Sequence, residues 1–512
     1  MAPTAQTAES GYKARDKAWG DSLVLGLLFL ALYLSLRQET FYLFDGHNMA
    51  LRLARFSPAS ILHPFPDILA QWLSRLLAPL GLRPFAILGG MSGIGMAAAV
   101  LLSHRFFLSL GLDRWRASLC ALLVGGTPNV LFFATVIEVH GVFLPFAVLG
   151  LWAATWAARE GGGARFLLAA LACGFASFAH SSMHILMPFY LLWMDAWARE
   201  RDLADGRRDG KRRLGRAILF GIAYGGAAAL TRWGFRLLDL LPATPPASHP
   251  LSTGVGFVGF VKGLPTGLYW AMEPFLRRKP EDIPYLFLTP VKEWILPSFP
   301  VSLAFLFAWR EKADRPLLRS LLVGLGLVTL VTFLLLGSFV EYGAYFLPFV
   351  IPAAYLGGKS LSKRTLGILV VLGLVGGISW VKVHDKRPFQ TQANSLGALE
   401  AQEGPLLVLA EWLPDPVFLG GIHAFRKSQI WFLRELGLDA LPPDQALALV
   451  QRFRTQTKGE ASPPPILLSE GGLRWLKAKG AHPSRAFFLK GLRLGFDWVE
   501  VHNGFLLRPK GR

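Results

Sequence analysis

Apolar runs of bilayer length, broken by short polar connections, set the pattern of this chain. Runs near 23–36, 85–108, 117–135, 139–157, 165–180, 183–197, 215–232, 291–309, 316–336, 344–358 and 365–381 hold few charged residues. A helix needs roughly 20 apolar residues to cross the hydrocarbon core. The pattern therefore predicts a mainly α, polytopic membrane protein of about eleven transmembrane helices. The first run is short, so its helix borrows Trp19 to Ser22 and Phe41 to Phe44. From Lys382 onward charges become frequent and the apolar runs shrink to LLVLA, PVFLGG and PILLSE, too short to span. Helical patterns at Asp444 to Arg454 and Gly472 to Lys479 alternate with these β-like runs, which predicts a small α/β domain over 382–512.

The connections set an expected orientation. Residues 1–20 are polar, carry Lys13, Arg15 and Lys17, and precede no convincing cleavage site, so they read as a cytoplasmic amino-terminal tail. The connections at His104 to Arg116 and Arg159 to Arg165 are basic, while those at Thr135 to Glu138 and Ser181 to Ser182 carry no basic residue. Arg199 to Arg216 holds eight Lys or Arg and is the strongest inside marker. The membrane domain is then 21–381, with outer loops 38–84 and 233–290, and an odd number of crossings places 382–512 outside as a soluble extracytoplasmic domain. The pieces VGFVGFVKGLPTGLYWAM and IPYLFLTPVKEWILP of the second loop read as interfacial helices.

Composition narrows the class without changing it. Of 512 residues, 53% are hydrophobic and 17% charged, and the mean hydropathy is +0.40. One soluble core cannot hide that much apolar surface. The net charge of +19 sits in loops between apolar runs, the placement that membrane orientation requires, and nucleic acid is set aside as a partner. Cys120 and Cys173 both fall inside apolar runs and mark neither a disulfide framework nor a metal site.

Candidate chemistry gathers at the outer ends of the runs. The stretch FYLFDGHNMALRLARFSPASILHPFPDILAQWL puts Asp45, His47, Arg52, His63 and Asp67 just past the first span, where ionisable groups stay near the bilayer and still reach water. A carboxylate there is suited to taking a proton from a hydroxyl as its oxygen attacks a sugar carbon, and Asp45 is the expected catalytic base. The leaving phosphate of a lipid-linked sugar needs cations or N–H donors, for which Arg52, Arg55, Arg232, Arg236, Lys262, Arg277 and Arg278 are available. Each is also suited to anchoring lipid headgroups. In ATVIEVHGVFLPFAVLGLW, Glu138 and His140 sit at a turn, either in a wet cavity or exposed at the surface. In GFASFAHSSMHILMPFYLLW, His180 and His184 have helical spacing that suits a metal pair, or they line the outer cavity. In SFVEYGAYFLPFVIP, Glu341 and Tyr342 meet an outer helix end.

Asp45, His63-Pro64 in LHPFPDILAQWLSRLLAPLG, IEVH around Glu138 and GFASFAHSSMHILMPFYLL together resemble, in order and spacing, the membrane proteins related to the TMEM-type protein O-mannosyltransferases. That group is often labelled a domain of unknown function and belongs to the GT-C superfamily of integral-membrane glycosyltransferases. The resemblance covers about residues 20–200. Relatives have Asp-Ser-Gly-Glu where this chain has Asp45-Gly46-His47-Asn48, a tyrosine at His140, and Arg-Tyr where this chain has Ala344-Tyr345.

The resemblance implies a GT-C fold with a conserved module of seven helices and a polyprenyl-phosphate-linked sugar donor; the expected location is a bacterial inner membrane. It also implies inversion at the sugar carbon and Asp45 as the base; the motifs themselves add Glu138 as a second catalytic candidate and His47, His63, His140, His180, Arg52, Arg232, Lys262 and Tyr342 as expected substrate contacts. The acceptor, a protein Ser or Thr hydroxyl or a glycan, stays open, as does the sugar. No cofactor is assigned. Some GT-C enzymes use a divalent cation, but Asp45 and Asp67 alone supply too few oxygen ligands to define its sphere. The competing expectations are a lipid-linked glycan or polysaccharide transporter or flippase, and a non-catalytic export partner. A transporter would line a path across the membrane with its polar groups; an enzyme would gather Asp45, Glu138 and His180 in one outer cavity.

Overall fold

A computed structural model describes residues 5–38, 46, 49, 52–53, 59, 63–80, 82, 84–204, 210–237, 288, 290–336, 343–384, 388–411, 428–455, 464–501 and 504–510. The chain is mostly helical and divides into two compact units, Met1–Asp385 and Lys386–Arg512.

The first unit is built of helices α1 (Ala5–Ser35), α2 (Pro64–Leu76), α3 (Pro84–Ser109), α4 (Arg114–Gly126), α5 (Pro128–Thr135), α6 (Val139–Glu160), α7 (Gly163–Ala179), α8 (Met183–Ala204) and α9 (Gly210–Leu237), followed by α10 (Arg315–Leu336), α11 (Val350–Ser360) and α12 (Lys363–Val383). Local chemistry sets their limits. Asp113 caps α4 through the N–H groups of Trp115 and Arg116, and Ser362 caps α12 through Thr365 N–H. Such caps satisfy backbone donors that a helix start leaves open. Pro64 and Pro128 stand at first-turn positions, where a missing N–H costs nothing.

Among the described residues, Ala86–Ser109, Val139–Glu160, Leu214–Gly234 and Lys363–Val383 are long and apolar enough to cross a membrane, while Trp19–Ser35, Gly163–Ala179 and Val301–Arg310 are shorter apolar helices. Four segments take a form other than the one expected. The polar tail 1–20 is helical from Ala5 and continuous with the first apolar run. The run 117–135 is two helices, α4 and α5, meeting at 59°, because Pro128 cannot donate into the preceding turn. The run 291–309 is a π turn (Val291–Ile295), one α turn (Val301–Ala304) and a 3-10 stretch (Phe305–Arg310), with Pro297 and Pro300 between the pieces. Likewise 344–358 begins as 3-10 helix over Ala344–Phe349, around Pro348, before α11.

Small residues and buried aromatics hold the bundle together. Gly95 of α3 meets the Gly141 carbonyl of α6 backbone to backbone, and a Cβ on Gly141 would lie 2.7 Å from Ser92 Cα. Phe106, Phe107, Phe132, Phe133 and Trp193 are fully buried. Buried polar side chains find partners: Tyr33 Oη donates to Gly125 O at 3.0 Å, Tyr190 Oη to Ala147 O at 2.7 Å, and Trp193 Nε1 to Thr155 Oγ1 at 3.0 Å. On the outside, Leu23, Leu27, Ile218, Leu219, Ile222, Ile368, Val371 and Val375 stand exposed, apolar stripes that only lipid would cover.

Contacts between helix ends that are distant in sequence define two ends of the bundle. One is rich in ion pairs: Arg114 with Asp21, Lys363 with Asp113 at 3.1 Å, and Lys359 with the buried Asp314 at 2.5 Å. There His104 also contacts Ser22 Oγ at 2.7 Å and Ser118 Oγ at 3.2 Å. At the other end, Gln38 N–H donates to Thr135 O at 2.8 Å, tying the exit of α1 to that of α5.

The second unit is an α/β domain. Strands β1 (Leu407–Ala410), β2 (Gln429–Phe432), β3 (Ile466–Ser469), β4 (Phe496–Val501) and β5 (Gly504–Pro509) form one sheet in the order β2-β1-β3-β5-β4. The first three run parallel, with Leu407 opposite Gln429 and Ile466, and β3, β5 and β4 pair antiparallel. Helices α13 (Pro388–Glu403), α14 (Pro443–Thr455), α15 (Glu470–Leu476) and α16 (Pro483–Gly495) complete it. Leu409, Leu468, Phe488, Leu492 and Leu507 pack in one cluster, Val408, Leu467, Leu506 and Leu396 in another. β3 is buried along its whole length, as a central strand covered on both faces must be. The runs LLVLA and PILLSE are β1 and β3; PVFLGG lies outside the described residues.

Candidate functional site

The end opposite the ion-paired one carries a buried set of imidazoles and a carboxylate. His63 caps α2 in a non-helical conformation (φ −135°, ψ 61°) immediately before Pro64. His180 leaves α7 in an extended conformation (φ −156°, ψ 132°), and a two-residue turn then leads into α8. Glu138, also extended (φ −160°, ψ 153°), caps α6: its Oε1 accepts Val139 N–H at 2.8 Å. Ser92 Oγ of α3 donates to Glu138 O at 3.1 Å, so the close Gly95–Gly141 crossing and this hydrogen bond fix the same segment.

These three turns bring the side chains together. The rings of His63 and His180 stack with centroids 4.0 Å apart and 19° between planes. His140 lies 4.5 Å from His180, and its Nδ1 is 3.5 Å from Glu138 Oε1. Phe143 and Phe133 flank the group, and Tyr345 closes it edge-on, 5.8 Å from His140. His63, Glu138, His140 and His180 are all at most 5% exposed. The carboxylate is therefore buried, and an exposed Glu138 at the surface does not describe this chain.

Hydrogen bonds assign the state of His180. Ser182 N–H donates to His180 Nδ1 at 3.0 Å, with Ser182 Oγ at 2.7 Å from the same atom. Nδ1 is thus an acceptor, and the proton of the neutral ring sits on Nε2. That buried Nε2 has no hydrogen-bond partner among the described residues. Leaving such a donor unmet costs roughly 1–3 kcal/mol unless a ligand supplies the acceptor.

Arg52 Nε reaches Asp67 Oδ2 at 2.6 Å, and Asp67 is 1% exposed in the first turn of α2, where the helix dipole favours an anion. Arg232, on α9, is an electrostatic neighbour of His184 and Tyr224. His180 and His184 do not share a helix, because the chain breaks between α7 and α8; His184 Nδ1 instead pairs with Tyr224 Oη at 2.6 Å. Their spacing of four is therefore no metal pair. Among the described residues no group of three or more His, Cys, Asp or Glu is arranged to hold a metal ion. Asp45, His47, Lys262, Tyr342 and Glu341 lie outside the described residues.

Two participants were not legible beforehand. Glu293, buried in the π turn, accepts Gly343 N–H on Oε2 at 2.9 Å. Gly343 is left-handed (φ 82°), and a Cβ there would lie 2.7 Å from Glu293 O and 3.3 Å from Asn129 Nδ2. This clamp starts the 3-10 stretch that delivers Tyr345 to the histidines. A lone acid within an apolar run, with no motif around it, offered no signal beyond the cost of burying it.

No protein-family model and no curated protein matches the chain. Among solved structures it is similar to the archaeal oligosaccharyltransferase AglB from Archaeoglobus fulgidus, in complex with an inhibitory peptide and a dolichol-phosphate. There the identity is 11%, 96% of this chain and 74% of that one are covered, and the TM-score is 0.43. It is also similar to ArnT from Cupriavidus metallidurans bound to undecaprenyl phosphate, at 11% identity over 95% of this chain and 97% of that one, with a TM-score of 0.40. The apo form of the latter gives 12%, 98% and 98%, and 0.41. Scores of this size leave the reading of the site to its own residues.

Proposed function

We propose that this chain is a GT-C-type membrane glycosyltransferase of about eleven crossings. It moves a sugar from a polyprenyl-phosphate-linked donor to a hydroxyl acceptor on the outer side of a bacterial inner membrane. The amino end is cytoplasmic and the second unit is outside. The observation that carries the reading is the buried group of His63, His140, His180 and Glu138 at one end of an apolar helical bundle. Glu138 and His180 meet at that end instead of being spread along a path across the bundle, which favours transfer over transport.

In this reading the acceptor hydroxyl, on a protein Ser or Thr or on a glycan, attacks the anomeric carbon from the face opposite the phosphate. Asp45 takes the hydroxyl proton. The new C–O bond forms as the carbon–phosphate oxygen bond breaks, and the electron pair leaves on the polyprenyl phosphate. Inversion follows from the single displacement. His180 Nε2–H is the donor suited to the phosphate oxygen on which charge grows, and preorganised donors of this kind lower the barrier without reorganising. Glu138 orients His140, the stacked His63 fixes the plane of His180, and Arg52 is held by Asp67. His47, Arg232, Lys262 and Tyr342 complete the proposed substrate contacts.

The test is transfer from a defined polyprenyl-phosphate sugar in detergent, comparing the natural chain with Asp45→Asn. The variant is expected to lose at least about 10²-fold in turnover while still binding donor. Undiminished turnover removes Asp45 from its role, and absence of transfer from every polyprenyl-phosphate sugar ends the enzymatic reading.

A further inference from the structure

The second unit holds a pocket of about 460 Å³ where the end of α15 meets α16. Lys477, His482, Lys490 and Arg493 line it with Leu476 and Leu489, and no acidic side chain does. A neighbouring cation is used differently by the fold: Arg485 is bound by both oxygens of Asp439 and lies 3.7 Å over the Trp475 ring. Lys477, Lys490 and Arg493 are exposed and enter no ion pair among the described residues.

The helix itself carries a second signal. Ser484, Phe488, Gly491, Leu492 and Gly495 are buried. At 3.6 residues per turn, Phe487, Leu494, Lys490, Ala486 and Arg493 follow one another around the opposite face. Phe487 is 42% exposed and Leu494 66%. A soluble anion would account for the cations but leave these two apolar side chains in water. A lipid interface accounts for both, since the ring and the leucine enter the headgroup boundary while the cations meet phosphates. The unit begins directly after α12, one of the helices apolar enough to cross a membrane, so lipid is close at hand.

We infer that the face of α16 bearing Phe487, Lys490, Arg493 and Leu494, with Lys477 beside it, docks on anionic phospholipid, a headgroup phosphate entering the pocket. Both native cysteines are buried, so Ala486→Cys adds one accessible thiol to the full chain. A polarity-sensitive dye there, in nanodiscs of phosphatidylcholine with or without phosphatidylglycerol, reads the docking. Emission is expected to shift to the blue only with the anionic lipid. The docked-to-free ratio should fall roughly fivefold for each of Lys477→Gln, Lys490→Gln and Arg493→Gln, while Lys490→Arg and Arg493→Lys keep it. Emission that ignores lipid charge, or a shift that survives all three Gln changes, overturns the inference. So does a shift produced by inorganic phosphate in neutral discs, which makes the pocket a soluble-anion site.

Discussion

His63 and His180, from the starts and ends of different helices, stack face to face at 4.0 Å with the Nε2–H of His180 unmet. Stacking and donation can be separated. His180→Phe keeps an aromatic ring on His63 and deletes the buried donor, but it also leaves the buried Ser182 N–H without its acceptor, so stability should fall by about 1–3 kcal/mol, less than in the alanine variant. Turnover should fall about 10- to 100-fold, the value of a hydrogen bond to a charged group. His180→Ala should lose both stability and turnover. A His180→Phe variant with full turnover would remove His180 from the phosphate.

Glu138→Gln separates capping from charge. A Gln side-chain oxygen can still accept Val139 N–H, so the start of α6 survives. The partner of His140 loses its negative charge, and turnover should drop roughly 10²-fold with unchanged thermal unfolding. Normal kinetics would reduce Glu138 to a helix cap.

Gly343→Ala forces a Cβ into the left-handed region and toward the Glu293 carbonyl. The expected cost is about 1–3 kcal/mol in detergent melts, with a larger relative loss of turnover because Tyr345 follows two residues on. A variant as stable and active as the natural chain would mean that the clamp does not position the ring.

At the ion-paired end, Lys359→Met leaves the buried Asp314 without its partner and should cost about 1–3 kcal/mol, less than for a fully buried pair because Lys359 is 40% exposed. Adding Asp314→Leu should restore most of it, since the buried carboxylate is then gone as well. Thermal unfolding of the single and double variants checks this; a double variant no better than the single contradicts it.

In the second unit, Arg485, hydrogen-bonded to Asp439, holds that carboxyl below its usual range. A folded value below the unfolded one contributes stability above the ordinary carboxylate range, lost as pH falls through the folded value. Asp439→Asn should therefore lower stability at neutral pH and converge with the natural chain in acid. Parallel unfolding curves at all pH values would contradict the linkage. The carboxylate is half exposed, so the difference is expected to be small.

Apolar runs were legible because bilayer thickness imposes one length on them, and α3, α6, α9 and α12 lie where the pattern placed helices. Prolines were harder to weigh: Pro128 and Pro300 divide runs that hydropathy reads as single helices. His180 and His184 have the spacing of one helical face, but the extended conformation at His180 cancels it, and such a break at a Ser-Ser turn has no hydropathy signature. The expected gathering was of Asp45, Glu138 and His180; Asp45 lies outside the described residues, while Glu138 and His180 are linked through His140, with His63 stacked on His180. Their stacking, and the clamp from Glu293 to Gly343, depend on tertiary contacts between distant segments that no local spacing encodes.

The contact of Gly95 with Gly141 has a use beyond this molecule. Because main chain touches main chain there, the seat of Glu138 has no slack that a rotamer change can take up. A distant sequence with valine or leucine at either position must splay that helix pair, however well its histidines align. Those two glycines are thus a sieve for choosing which remote chains to compare with this one.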